Sequence, residues 1–172
     1  MVSPPVGCHD PFLMEKLTQK IKSEAQHLGF SLVGVITPDP PLHLDAYRNW
    51  LKAGYHAGMG WMGTERAIHR RSDPCAILPK CQSILVLGIP YPPSYQDQEG
   101  GKVSSYAWNE DYHHVIPPKL QALVEFIEEQ VGRPVPNRFY TDTGPVLERE
   151  FAVRAGLGWI GKNTCLIHPR GG

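Results

Sequence analysis

Cysteine is sparse in this chain, long apolar runs are missing, and neither sign of charge dominates. The four cysteines, Cys8, Cys75, Cys81 and Cys165, lack the close pairing of a zinc site and the density of a small disulfide scaffold, so they read as free thiols. No stretch is apolar for long enough to span a bilayer, and Met1 to Asp10 has neither the basic start nor the apolar centre of a secretory signal. A soluble, cytoplasmic protein without membrane contact is predicted, and a monomer is expected. Lysine plus arginine number 17 and aspartate plus glutamate number 17, which excludes a general attraction to polyanions; any nucleic-acid contact must come from a local patch. No internal repeat with a period of about 20 to 50 residues is visible, which excludes a solenoid or propeller. The length, 172 residues, suffices for one compact core.

What is present alternates helical and extended patterns. Met1 to Pro11 is rich in proline and small polar residues and reads as a loose leader, with one domain over residues 12–172. Leu13, Leu17, Ile21, Ala25 and Leu28 recur at helical spacing, and Gly29 stands where a left-handed cap belongs. Phe30 to Ile36 is an apolar, partly β-branched strand that stops at the proline-rich Thr37 to Pro41. A second helix carries Leu44, Tyr47, Trp50 and Leu51 and ends near Gly54. Gly58 to Gly63 sets large residues between glycines, which suits close backbone packing or a flat ligand equally.

Ser83 to Ile89 is continuously apolar, predicting a strand covered on both faces and central in its sheet. Tyr91 to Lys102 reads as a long surface loop. A helix beginning near Pro117 and Pro118 carries Leu120, Leu123, Val124 and Ile127 and ends near Gly132. Arg138 to Thr141 is a short strand candidate. Val146 to Ala155 is a helix opened by Gly144 and Pro145 and closed at Gly156, and Thr164 to Ile167 is a last strand. This alternation predicts an α/β sandwich.

Three segments place reactive side chains at the ends of apolar elements. Ser104 to His114 crowds aromatic, acidic and imidazole groups together. Thr141-Asp142-Thr143-Gly144-Pro145 joins the strand candidate to the next helix. In Ala155 to Thr164, Gly156, Gly158 and Gly161 let backbone amides approach a ligand while Lys162 supplies charge.

In this order and spacing the motifs DYHH, DTGPVLERE and AGLGWIGKN resemble those of epoxyqueuosine reductases, and LPKCQSI before the main strand is similar too. The match runs from the first helix to Gly172. The resemblance implies an α/β sandwich with a mixed sheet of nitroreductase-like topology. It implies an enzyme that reduces the epoxide of epoxyqueuosine to queuosine at the wobble position of a tRNA anticodon loop. It also implies cobalamin as cofactor and 4Fe–4S clusters, served by an electron donor, as the electron source. The cluster spacing C-x2-C-x2-C-x3-C-P is missing, so the cluster ligands are not in this chain. We expect a piece of a longer protein, incomplete at its C-terminal end before a ferredoxin-like domain and inactive by itself with a physiological donor.

By the same resemblance, Asp142 matches the family's proton donor. Arg71, Ser104, Tyr112, His113, Lys162 and Leu166, with Asp142, match positions around cobalamin. Ser104 departs from relatives that carry cysteine there. Removing an epoxide oxygen requires a reductant on one side and a proton on the other. A carboxylic acid serves if burial against the corrin and aromatic rings keeps it protonated. The residue type also allows a plain helix N-cap at Asp142, where the helix terminus would favour the anion.

His113 and His114, read as strand neighbours, would point to opposite faces, so at most one could meet cobalt, and no protein metal ligand is expected. Glu148 and Glu150 read as solvated or paired, and Cys75 and Cys81 as ordinary thiols. Arg66, His69, Arg70 and Arg71, close to Trp61, suit either a solvated helix face or contact with tRNA. Two rival functions stand beside the reductase: another cobalamin-dependent reductase, and a non-catalytic corrinoid-binding module.

Overall fold

The computed structural model describes residues 11–90, 104, 107 and 110–169. The expected leader, apart from Pro11, the loop from Tyr91 to Lys102 and most of the segment before Glu110 lie outside the described residues.

Helix α1 (Pro11–His27) ends where its sequence runs into a glycine. Gly29 has φ +96°, and the Phe30 N–H reaches back to the Ala25 carbonyl at 3.0 Å, satisfying a carbonyl that the helix leaves open. Strands β1 (Leu32–Ile36) and β2 (Ile84–Gly88) pair antiparallel, from Leu32 opposite Gly88 to Ile36 opposite Ile84. Between them lie α2 (Leu44–Lys52), a tight turn at Gly60–Gly63 and α3 (Glu65–Ser72). Helix α4 (Tyr112–Val131), α5 (Glu148–Arg154) and a hairpin of β3 (Trp159–Ile160) and β4 (Leu166–Ile167) follow.

Strand periodicity assigns the two faces of the β1–β2 pair. Val33, Leu85 and Leu87 share one face and pack against the buried cluster of Ala25, Phe30, Leu120 and Leu123, drawn from α1, the turn after it and α4. Lys119 locks α1 to α4 by donating to the Leu28 carbonyl at 2.6 Å. Gly34 faces the other way, towards the end of α5: a Cβ there would stand 2.6 Å from the Ala155 Cβ. Helices therefore lie on both faces of the pair, in a small mixed α/β domain.

Helix α5 is pinned from several sides, and this fixes the site described below. The Arg154 guanidinium donates to the carbonyls of Asp39 at 2.8 Å and Thr37 at 3.1 Å. Glu150, only 6% exposed, accepts the backbone N–H groups of Leu42 and His43. It is thus paired, with backbone donors of the proline-rich loop, which loses its own partners by lying outside any ladder.

Four expectations are corrected. Among the described residues β2 pairs only with β1, so it is one half of a two-stranded ladder and not a central strand. Arg138 to Thr141 forms no strand, because the backbone around it bonds to side chains instead: Val135 N–H to Glu128 at 2.9 Å and Asp142 N–H to Glu148 at 3.1 Å. The last strand is the shorter β4, and its partner β3 is too brief to show a period in sequence.

The fourth correction concerns α4, which starts at Tyr112 instead of near Pro117. The Asp111 side chain caps it by accepting the His113 N–H at 2.9 Å, and both prolines fall inside the helix. A proline cannot donate to the carbonyl four residues back, so the His113 and His114 carbonyls lose their ordinary helical partners. His113 and His114 are consequently helix neighbours about 100° apart around the axis, not strand residues on opposite faces. Among the described residues no helix is long and apolar enough to cross a membrane.

The seat of α5 on β1 is testable. Gly34→Ala forces a methyl group against Ala155 Cβ at 2.6 Å and its carbonyl at 2.9 Å, a clash with backbone that should cost about 1–3 kcal/mol in urea unfolding. Gly88→Ala, which meets only the Leu32 side chain at 3.2 Å, should cost less. Equal stability of the Gly34 variant and the parent would contradict the packing.

Candidate active site around Asp142

The site grows from a backbone constraint. Asp142 has φ +61°, in the left-handed region that non-glycine residues enter at a cost of order 1–2 kcal/mol. The Thr143 N–H bonds to the Thr141 carbonyl at 2.7 Å, closing a three-residue turn with Asp142 at its apex. Gly144 is required next, since a Cβ there would lie 2.4 Å from the Tyr140 ring. Two side chains hold the apex. The Asp142 N–H donates to Glu148 Oε1 at 3.1 Å, and Tyr112 Oη donates to Asp142 Oδ2 at 3.0 Å.

The turn thus connects α4 to α5. Asp142 is not the cap of α5, whose first residue is Glu148 and whose preceding residue, Leu147, makes no side-chain cap. The helix-cap alternative is therefore removed. Asp142 is exposed, so the burial that a proton donor requires is not supplied by the described protein atoms.

At the start of α4 the Tyr112 and His113 rings stack, with centroids 4.1 Å apart. His113 Nδ1 lies 2.7 Å from Asp111 Oδ1. The backbone N–H of His113, then its ring, hold the Asp111 carboxyl below the usual carboxylate range. Beside them opens a cleft of about 300 Å³ lined by His113, Pro117, Phe139, Tyr140, Thr141 and Thr143. Asp142 lies in the chain between two of these residues, Thr141 and Thr143. The cleft combines flat or apolar cover with the hydroxyl-bearing residues Tyr140, Thr141 and Thr143, and Pro117 leaves the His113 carbonyl without its usual helical donor.

Glu148 is the main residue that sequence reasoning missed. Burial pushes its carboxyl above the usual carboxylate range and the charge of Asp142 adds to this, while the Asp142 N–H and Arg149 oppose it. The residue as a whole is nevertheless exposed, so solvent screens this shift. Its signal in sequence was the spacing from Asp142 alone, which does not reveal that the intervening turn folds back.

The other predicted positions lie on other elements. Lys162 is exposed in the turn of the β3–β4 hairpin and Leu166 is half-buried in β4. Arg149 ties that turn to α5 by donating to the Thr164 carbonyl. Gly158 serves the hairpin itself, because a Cβ there would lie 2.3 Å from the Ile167 carbonyl oxygen. Ser104 is exposed and its carbonyl accepts the Ala107 N–H at 2.9 Å.

Arg71 stands apart on α3, 6% exposed, with its guanidinium 5.4 Å from the Tyr47 ring and 5.8 Å from the Trp61 ring. Among the ion pairs of the described residues it has no carboxylate partner. The basic cluster is therefore split, with Arg71 buried and Arg66 exposed, while Trp61 is 62% exposed. Among the described residues no three His, Cys, Asp or Glu side chains stand close enough to hold a metal ion.

The Asp111 cap predicts a pH signature. Its folded pKa is lowered, so its contribution is present above the unfolded value and is lost as pH falls through the folded one. Asp111→Asn keeps a capping oxygen without the charge. The stability difference between parent and variant should shrink as pH falls from about 6 to about 2. A difference independent of pH would contradict the charged cap.

A family model described as epoxyqueuosine reductase QueG, DUF1730, matches residues 71–143. The epoxyqueuosine reductase of Pseudomonas aeruginosa is 37% identical over 164 residues, covering 91% of this chain and 45% of the relative. A crystal structure of epoxyqueuosine reductase with an epoxyqueuosine-modified tRNA-Tyr stem loop superposes with a TM-score of 0.74 at 25% identity, over 90% of this chain and 42% of that one. A structure of the Bacillus subtilis enzyme, with an aspartate catalytic loop swung out of the active site, superposes with a TM-score of 0.71 at 25% identity over the same shares, 90% and 42%. The chain thus spans about half the length of the curated relatives it matches. By sequence and by fold it belongs to the epoxyqueuosine reductase family.

Proposed function

We propose that residues 12–172 form the cobalamin-binding, proton-donating part of a tRNA epoxyqueuosine reductase. The observation that carries this reading is the Asp142 carboxyl, held by Tyr112 and by a left-handed turn fastened to Glu148, in a chain segment whose neighbours Thr141 and Thr143 line the cleft. Converting an epoxide to an alkene consumes two electrons and two protons and releases the oxygen as water. Asp142 supplies a proton to that oxygen. Tyr112 orients the carboxyl through Oδ2, and a ligand seated over the cleft completes the burial that keeps the acid protonated.

The cleft suits one face of a corrin. Phe139, Tyr140 and Pro117 offer flat or apolar cover, and the Thr141 and Thr143 side chains offer hydroxyls at its edge. Its volume admits part of such a group and leaves the rest to other surfaces. Tyr112 and His113 would hold the cofactor at the centre, with Lys162 and Leu166 from the β3–β4 hairpin, Ser104, and the inward-facing Arg71 as partner for an anionic group. A bound cobalamin supplies strongly reducing electrons. The described cysteines, Cys75, Cys81 and Cys165, are free thiols, and no electron step is assigned to them. Helices on both faces of β1–β2 support nitroreductase-like topology for the complete domain. The relative bound to a tRNA stem loop supports tRNA as substrate, and exposed Trp61 and Arg66 offer stacking and charge to it.

In a full-length enzyme containing this segment, Asp142→Asn should retain cobalamin binding and lower epoxyqueuosine reduction by roughly 10²–10⁴-fold. Absorbance of the bound corrinoid and analysis of the tRNA nucleosides read the two effects. Turnover equal to that of the unsubstituted enzyme would remove Asp142 from the chemistry.

A further inference from the structure

We infer that Glu148 is a positioning residue that holds the Asp142 turn in its working conformation through the backbone of Asp142. The inference rests on the proposed role of Asp142 and adds a residue to it. The Asp142 N–H points at Glu148 Oε1, 3.1 Å away, and a non-glycine residue at φ +61° persists only where its surroundings compensate the strain. Tyr112 supplies a second attachment but engages only the side chain, so beside the Thr143 N–H to Thr141 carbonyl bond within the turn, Glu148 is the contact from outside the turn that acts on the Asp142 backbone.

The carboxyl is well placed for this task because its own helix cannot drift. Helix α5 is fixed by Glu150 to the backbone at Leu42 and His43, by Arg154 to Thr37 and Asp39, and by Ala155 against Gly34. Arg149 next along the helix fastens it to the Thr164 carbonyl. The charged groups bearing on Glu148 are Asp142 on the turn and Arg149 on its own helix. Burial and the Asp142 charge raise its pKa, so the strength of the latch changes with pH. Ionised Glu148 accepts the N–H most strongly, and protonation weakens the acceptor. For folding the sign is opposite to that of a stabilised carboxylate: the raised group favours the folded state below its unfolded pKa, and this advantage is lost as pH rises through its folded pKa.

The test uses the ¹⁵N-labelled chain as it stands, without cobalamin or tRNA, so a failure of the reductase reading would not affect it. Nuclear magnetic resonance follows the Asp142 amide in the parent, Glu148→Gln and Glu148→Ala. In the parent its shift should titrate at a pH above the usual glutamate range. Glu148→Gln, which keeps an acceptor oxygen, should abolish that titration while preserving slow exchange. Glu148→Ala should speed Asp142 amide exchange at least about tenfold and leave α1 amides unchanged. If Glu148→Ala does not fold, the titration in the parent and its loss in Glu148→Gln still decide. An Asp142 amide indifferent to pH in the parent, or exchange unaltered in Glu148→Ala, would overturn the inference.

Discussion

A single backbone dihedral organises the site. Asp142 occupies a left-handed conformation that its own Cβ disfavours, and it stays there because one neighbour binds its N–H and another its carboxyl. The two neighbours come from different helices, so the turn couples the relative position of α4 and α5 to the orientation of one acid. Everything that fixes those helices bears on that orientation at one remove. Phe30, Leu120 and Leu123 seat α4 against α1 and the β1–β2 pair, and the buried Glu150 carboxylate ties α5 to the loop after β1. A buried charge is costly unless its lone pairs are satisfied. Here two backbone N–H groups satisfy it, and the proline-rich loop gains partners it could not find in a ladder.

The start of α4 shows a second conflict resolved by capping. Two prolines inside a helix each remove a hydrogen bond and crowd the preceding turn, which by itself argues for a later start. Asp111 and its bonds to His113 outweigh this and carry the helix back to Tyr112. The consequence is functional: Tyr112 and His113 become members of a rigid helical turn, stacked and oriented, where a loop would leave them free to wander. The same prolines withdraw donors from the His113 and His114 carbonyls, so acceptor capacity is concentrated beside the cleft.

Much of this was legible in the residues. The stripe from Leu13 to Leu28 and the cap at Gly29 gave α1, because helical periodicity and glycine's left-handed freedom are local properties. Asp142, Tyr112 and His113 stand out in the sequence by motif, and the structure brings these three together. What escaped was long-range. Whether Ser83 to Ile89 is central or paired on one side depends on partners elsewhere in the chain, and β3 is too short to leave a pattern. Glu148 was read as a solvated or paired residue because its role arises only when the turn from Thr141 to Leu147 folds back on α5. Arg71 belonged in sequence to a basic cluster, but helical rotation turns it inward beneath Tyr47 and Trp61 while Arg66 stays outside.

The central claim is that the cleft beside Asp142 is where the corrin sits and is what buries the acid. Amide hydrogen exchange of this chain, with and without saturating hydroxocobalamin, addresses it residue by residue. The account predicts slowing of about fivefold or more at Thr141 to Thr143 and in the first turns of α4, with α1 unaffected. Protection confined to α2 and α3, or no protection anywhere, would contradict it.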